Sequence, residues 1–373
     1  MAKKLFNPTI EYPNILLVGI HTPYNKAGDI QSYYDEFIHL VESNDIRYKV
    51  THFTKLRSID PAYFLTKGKL EELVAICKEN KIEEVILSEP LSPNQERNLS
   101  DALNAAVFDR TRLILEIFEK SATTAEGKTQ VSIAMMQYFK TRLAGHGIHM
   151  SQQAGQIGVK GPGETRKEKA TRYIDLSILQ QKRHLIKMAK SRETQRKQRL
   201  SRNVPQVCLV GYTNAGKSTI LNATTKSNVL AKDKLFATLD TTTRELYIKG
   251  VKKGVISDTV GFIQMLPHNL IEAFKSTLSE LQYADLLLHV IDASDQNIEY
   301  HIQVVMEILE ELGLGEKQIL HVFNKADRLE NPDQELQAML DMYQPNVIVS
   351  AKTKKELAPL LDYLATWNTT KKA

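Results

Sequence analysis

Along the first 110 residues short apolar runs alternate with longer stretches in which apolar residues recur every three or four positions. The runs Asn14 to Gly19, Tyr48 to Phe53, Glu84 to Leu87 and Ala106 to Phe108 predict strands, and Ile30 to Glu42, Lys69 to Glu79 and Pro93 to Ala105 predict helices. Such alternation predicts a small parallel sheet flanked by helices. A helix rich in Leu and Ile is expected from Arg112, followed by a turn at Thr123 to Lys128 and a second helix over Val131 to Leu143. Further on, Tyr173, Ile174, Leu176, Ile178, Leu179, Leu185, Ile186 and Met188 keep helical spacing, and no Pro or Gly follows them before Pro205. A long helix or a helical hairpin with one packed stripe fits that pattern. The remaining strands are predicted at Val207 to Val210, Gly254 to Ser257, Ile319 to Phe323 and Asn346 to Val349, with a Ser-Thr-Ile-Leu-Asn-Ala helical pattern starting at Ser218.

Composition changes this picture in two places. The chain has 373 residues and 42% apolar content, enough for two or three domains that each bury a core. Its net charge of +5 is unevenly spread: Glu164 to Asn203 holds thirteen bases and four acids, a local +9, which leaves the rest at −4. One basic arm on an acidic remainder points to a polyanionic partner reached through that arm; a merely solvated basic face is the plainer alternative. No secretory signal is expected in Met1 to Phe6, and the most apolar window, Ala284 to Ala293, is interrupted by His289 and Asp292, so no membrane span is expected and the cytoplasm is the default location. Cys77 and Cys208 stand in apolar settings and read as packed thiols. Residues 145 to 163 are Gly-rich without a steady period, which predicts a flexible loop, and His146 and His149 lack a third ligand for a metal.

The chemistry is concentrated in the last third. Gly211, Tyr212, Thr213, Asn214, Ala215, Gly216, Lys217 and Ser218 form a complete GxxxxGK[ST] loop between a strand and a helix. The N–H groups of such a loop converge on phosphates, Lys217 can reach the outer ones, and the Ser218 hydroxyl is placed to hold Mg2+. Asn324, Lys325, Ala326 and Asp327 follow the 319–323 strand, and an Asp there accepts two N–H groups from guanine, which adenine does not offer. Ser350, Ala351 and Lys352 can back the base with main-chain N–H groups. Asp258, Thr259, Val260 and Gly261 complete the set: the Asp can hold Mg2+ through water and the Gly N–H can sense a terminal phosphate. GTP and GDP are therefore the expected ligands, with Mg2+. Asn214 either helps hold K+ beside the phosphates or only stabilises the turn. Phe262 occupies the place of a water-orienting Gln, so no catalytic residue is assigned and slow unaided hydrolysis is expected.

Val107-Phe108-Asp109-Arg110-Thr111, Glu126-Gly127-Lys128, Gly161-Pro162-Gly163-Glu164-Thr165, Phe236-Ala237-Thr238-Leu239-Asp240 and Asp258-Thr259-Val260-Gly261-Phe262 together resemble the HflX family of ribosome-associated GTPases. The resemblance runs from the Asn14 strand to the Ser350 loop. This chain departs from the family at Lys160 before the GPGET stretch, at Arg166-Lys167-Glu168 after it, and at Thr241. The first switch must supply a Thr to Mg2+, and Thr238, Thr241, Thr242 and Thr243 are candidates; its place in the FATLD stretch selects Thr238. The resemblance implies binding to the large ribosomal subunit and its RNA and the separation of stalled or stressed ribosomes, with action in subunit assembly the alternative; a monomer that does not bind DNA is expected. The expected architecture is α/β: an N-terminal α/β domain over 1–143, a glycine-rich loop and basic helical linker over 144–203, and a P-loop GTPase domain with a mostly parallel sheet over 204–373. A second nucleotide site in the first domain has no phosphate loop to support it.

Overall fold

A computed structural model describes residues 13–25, 30–145, 166–201, 204–225, 235–236, 239, 241–264, 280–329, 334–353 and 355–367. The Gly-rich stretch after Gly145, with His146, His149 and the GPGET residues, lies outside them. Two compact units are present, one of residues 1–26, 34–114 and 141–167, the other of 27–33, 115–140 and 168–373.

The first unit is built on four parallel strands, β1 (Ile15–His21), β2 (Val50–Lys55), β3 (Glu84–Leu87) and β4 (Ala106–Phe108), in the order β2-β1-β3-β4. Helices α1 (Ile30–Ser43), α2 (Lys67–Asn80) and α3 (Pro93–Leu103) connect them. The apolar pattern located all seven elements, and the edges shift for local reasons. β2 begins at Val50, where parallel register sets it against Leu16 of β1. α3 opens on a capping box between Ser92 and Gln95 and stops at Leu103, because Asn104 turns left-handed at φ 50°.

Helix α4 (Arg110–Ser121) starts two residues before the apolar pattern does. The cause is Asp109, whose carboxylate accepts the Arg112 N–H at 2.9 Å, the Leu91 N–H at 3.1 Å and Arg142 Nη2 at 2.9 Å. Arg110, equally buried, pairs with Glu36. The Val107–Thr111 stretch thus frames this unit from inside, since buried charges persist only when paired and hydrogen-bonded.

In the second unit, α5 (Ala125–Gly145) lies beside α6 (Arg166–Ser201), a single helix of 36 residues rather than a hairpin. Gln181 Nε2 donates to Ser132 Oγ at 3.2 Å and Lys140 pairs with Asp175, tying the two. Of the apolar positions on α6, Ile178 is buried whereas Tyr173, Leu176, Leu179 and Ile186 are exposed.

The sheet of this unit has six strands: β5 (Gln206–Gly211), β6 (Thr242–Ile248), β7 (Val251–Asp258), β8 (Leu286–Asp292), β9 (Ile319–Asn324) and β10 (Asn346–Ile348), in the order β10-β9-β8-β5-β7-β6. Only β6 runs antiparallel, joined to β7 by a hairpin. Helices α7 (Lys217–Thr224), α8 (Ile298–Glu311), α9 (Gln334–Met342) and α10 (Ala358–Thr366) accompany it. β8 is the former apolar window 284–293, buried over its whole length save Asp292, as a central parallel strand must be. No helix among the described residues is long and apolar enough to cross a membrane.

His289 of β8 and His321 of β9 stand opposite each other inside this sheet, ring centres 5.3 Å apart. Neither Nδ1 has a hydrogen-bond partner among the described residues. Burial lowers His321 to about 4 and, with help from His321 and Lys217, His289 well below its ordinary value. In the unfolded chain both titrate near 6.5, so below that pH the unfolded state binds more protons and stability falls as the pH drops towards 4. Each histidine contributes up to about 1.4 kcal/mol per pH unit in that window. We expect the urea midpoint to decline between pH 6.5 and 4 and the decline to flatten in a His289→Leu/His321→Leu variant; equal slopes for the two proteins would contradict this.

Candidate functional site

Parallel register brings the carboxyl ends of β5, β8 and β9 to one edge, with Gly211, Val290 and Val322 across from one another and Asp292 and Asn324 just beyond. Open parallel sheets bind ligands at this edge. The 211–218 loop crosses it. Gly216 has φ 99°, and a Cβ there would lie 2.2 Å from Asn324 Nδ2, so only Gly fits. Asn214 is exposed at φ 60°, a turn conformation that Asn tolerates well. That conformation suits the turn role.

Lys217 is buried and its Nζ donates to the carbonyls of Gly211 at 3.0 Å and Tyr212 at 2.6 Å. Burial lowers its ammonium to about 8, against a smaller raising effect of Asp258. Ser218 Oγ donates to Asp258 Oδ2 at 2.7 Å, and Asp258 is fully buried. A hydroxyl and a carboxylate in contact form an all-oxygen pair that suits a hard divalent cation such as Mg2+. Among the described residues no cluster of three His, Cys, Asp or Glu offers a different metal site.

The 258–261 stretch docks on the loop through its backbone: Thr213 N–H donates to Phe262 O at 2.7 Å and Phe262 N–H to Gly211 O at 3.1 Å. Thr259 Oγ1 donates to Leu209 O at 2.6 Å. Gly261 sits so close that a Cβ would come within 2.9 Å of Lys217 Nζ and 3.0 Å of Thr213 Cα. Val260 and Phe262 are buried, so the Phe262 ring is a packing group. Tyr212 adds a second tie. Its hydroxyl accepts the Gln264 N–H at 2.8 Å while its ring stacks on His301 at 3.8 Å, and His301 Nδ1 lies 3.1 Å from Asp295 Oδ2. Burial pushes Asp295 up, but the His301 bond and charge, the Asn297 N–H and Lys325 together outweigh it and hold the carboxyl below its ordinary value.

At the other end Asn324 joins two loops. Its Nδ2 donates to Ala215 O at 2.8 Å and its Oδ1 accepts the Ala351 N–H at 3.0 Å, both buried. The Ala351 N–H is thereby committed to Asn324. Lys325, at φ 63°, pairs with Asp292 at 2.7 Å, and Ala326 N–H donates to Val349 O at 3.2 Å. Asp327 carries a partly exposed carboxylate; Ser350 Oγ donates to it at 2.8 Å and Lys352 Nζ at 3.3 Å. The Ser350 bond, and after it Lys352, lowers its pKa.

Of the first-switch candidates, Ala237, Thr238 and Asp240 lie outside the described residues. Phe236 and Leu239 are buried, and the Phe236 ring meets Phe118 of α4 edge-on at 4.7 Å. Thr242 and Thr243 belong to β6, with Thr243 Oγ1 2.9 Å from Ser257 Oγ, so the sheet occupies them. The local pattern pointed to none of His301, Asp295, Gln264 or Phe118, and to Tyr212 only as a phosphate-loop position, because the Tyr212–Gln264, Tyr212–His301 and Phe118–Phe236 contacts join residues tens of positions apart.

Residues 31–119, 121–199 and 206–325 match the families described as GTP-binding GTPase N-terminal, GTP-binding GTPase Middle Region and 50S ribosome-binding GTPase. The chain is 43% identical to the GTPase HflX of Caldanaerobacter subterraneus subsp. tengcongensis over 83% of this chain and 70% of that one. To the GTPase HflX of Escherichia coli K12 it is 40% identical over 93% of this chain and 81% of that one. It belongs to the HflX family of GTPases. A solved complex of SsGBP with GDP shares the fold at 24% identity and a TM-score of 0.51, covering 94% of this chain and 97% of that one.

As an HflX-family GTPase the chain binds GTP and hydrolyses it to GDP and phosphate. Removing the Asn324 amide leaves Ala215 O and Ala351 N–H buried and unsatisfied, at about 1–3 kcal/mol per group. Asn324→Ala should therefore lower both the urea midpoint and GDP affinity, the latter at least tenfold; a titration showing wild-type affinity would refute the bracing role. Tyr212→Phe removes the acceptor for one buried N–H. Amide exchange at Gln264 should speed up while protection along β5 stays unchanged, and an unaltered Gln264 rate would mean that the hydroxyl holds nothing.

Proposed function

We propose that this chain is a Mg2+-dependent GTP switch that governs attachment to the large ribosomal subunit, and that its work is to separate stalled or stressed ribosomes. The observation that carries the reading is the position of the basic arm: α6 ends at Ser201 and β5, which leads into the phosphate loop, begins at Gln206. Thirteen bases therefore stand on the segment directly preceding the nucleotide edge. The family described as 50S ribosome-binding GTPase, matched over 206–325, supports the same partner.

In this reading the loop 211–218 cradles the phosphates and Lys217 leaves its two carbonyls to meet the outer ones. Ser218 and Thr238 hold Mg2+ and Asp258 supports it through water. When bound, Mg2+ neutralises charge developing on the phosphates. Asp327 reads the guanine edge. Gly261 and Thr238 respond to the terminal phosphate, and Phe236, two residues before Thr238 and packed on Phe118, links that response to the helices preceding the arm. A nucleotide can shift attachment only by differing in effect on the two states.

The test is cosedimentation of the full chain with purified large subunits in GDP and in a non-hydrolysable GTP analogue, with light scattering of intact ribosomes alongside. We expect at least tenfold tighter attachment with the analogue and a drop in scattering when GTP is added. Equal attachment in both nucleotides would overturn the switch, and unchanged scattering would overturn the separating role.

A further inference from the structure

A groove of 660 Å3 runs between α5 and α6. Lys128 and Ser132 line it from α5, and Gln181, Arg183, His184 and Lys187 line it from α6. No carboxylate is part of the lining, and none of Lys128, Arg183 and Lys187 forms an ion pair among the described residues. The nearby acid on α6 is different: Asp175 is already held by Lys140. Arg183 and Lys187 stand one turn apart, neighbours on one helical face, and Lys128 faces them from the other helix. The floor is polar and shaped by a contact, the Gln181 Nε2 bond to Ser132 Oγ at 3.2 Å. That bond leaves Gln181 Oε1 buried with no partner among the described residues, an acceptor awaiting a donor.

We infer that this groove holds the sugar–phosphate backbone of RNA. Its cations meet successive phosphates, and Gln181 Oε1 accepts a ribose 2′-hydroxyl. An open groove that is basic on both walls suits a chain running through it, since unpaired cations gain most from a polyanion that sheds its counterions. A buried acceptor beside them favours RNA over DNA, because the 2′-hydroxyl is the one donor that DNA lacks. The site is separate from the nucleotide edge and uses the middle of α6. The inference rests on the ribosomal reading above and names where on the arm the RNA lies.

The test uses the full chain and purified large subunits over a salt series. Lys128→Gln, Arg183→Gln and Lys187→Gln together should weaken attachment about 10- to 100-fold and reduce the slope of log affinity on log salt by about 2, at roughly 0.7 per lost phosphate contact. GDP affinity should be unchanged, which verifies folding; if the triple variant loses GDP binding, Lys187→Gln alone is read for a slope loss of about 0.7. Neutralising Lys249, Lys252 and Lys253 on the β6–β7 hairpin removes the same net charge and should leave the slope as it was. A second arm compares single-stranded RNA and DNA of one sequence as competitors: RNA should displace the wild type better, and Gln181→Leu should erase the difference. If the wild type binds subunits and the groove variant keeps its slope, or if groove and hairpin variants lose it alike, the groove assignment is wrong. Equal competition by RNA and DNA against the wild type overturns the 2′-hydroxyl contact. A wild type that does not bind subunits at all overturns the ribosomal reading itself.

Discussion

Two buried hydrogen bonds from one amide hold together the carboxyl edge of the six-stranded sheet. Asn324 ends β9, and its side chain reaches Ala215 in the phosphate loop and Ala351 beyond β10. The loop would otherwise present unsatisfied backbone in a nearly dry place, and the parallel sheet leaves no neighbouring strand to satisfy it. An amide, with a donor and an acceptor on one carbon, is the shortest group that closes both loops at once. Gly216 must lack a side chain for the same reason, since its Cβ would occupy the position of the amide nitrogen.

That tie holds three of the four motifs at one edge of the sheet. Gly211 to Ser218, Asp258 to Gly261, Asn324 to Asp327 and Ser350 to Lys352 come from separate crossovers, yet each lies at the carboxyl end of its strand or just past it. The contacts between them mainly involve backbone: Thr213 with Phe262, Gly211 with Phe262, Ala326 with Val349. Side chains then add charge to a rigid frame. Lys217 and Asp258 are buried, and the Ser218 hydroxyl that contacts Asp258 is only partly so. Such groups interact strongly where water is scarce, and any anion or cation arriving there meets preorganised partners.

The helical part follows a different logic. α6 is long, basic and packed on one face only, with Tyr173, Leu176, Leu179 and Ile186 left exposed. A helix that carried out only structural work would bury such a stripe. Here Gln181 and Asp175 hold α5, and the exposed face retains apolar residues among its cations. Phe118 and Phe236 connect the end of α4 to the segment that contains Thr238. The nucleotide edge and the arm thus share a compact unit through ordinary packing.

Sequence alone determined the elements and the chemistry whose signal is local. The run from Val207 to Ser218, the Asp258 and Asn324 motifs and the alternation of the first 110 residues were legible because each depends on period, turn chemistry or spacing within a few residues. The family followed from Val107 to Thr111, Glu126 to Lys128, Gly161 to Thr165, Phe236 to Asp240 and Asp258 to Phe262. Strands β6 and β8 were not legible: β6 is polar at its exposed positions, and β8, a mostly apolar run broken by His289 and Asp292, lacks a period. Sequence also left open whether the 166–201 stretch was one helix or two, and it placed Asn324 with the base alone. Only tertiary structure decided the Asn324 tie, the Tyr212 bond to Gln264, the His289–His321 pair and the groove of α5 and α6. Each joins residues brought together by register or by helix packing, and no local pattern encodes which distant partner a buried amide, ring or cation will meet.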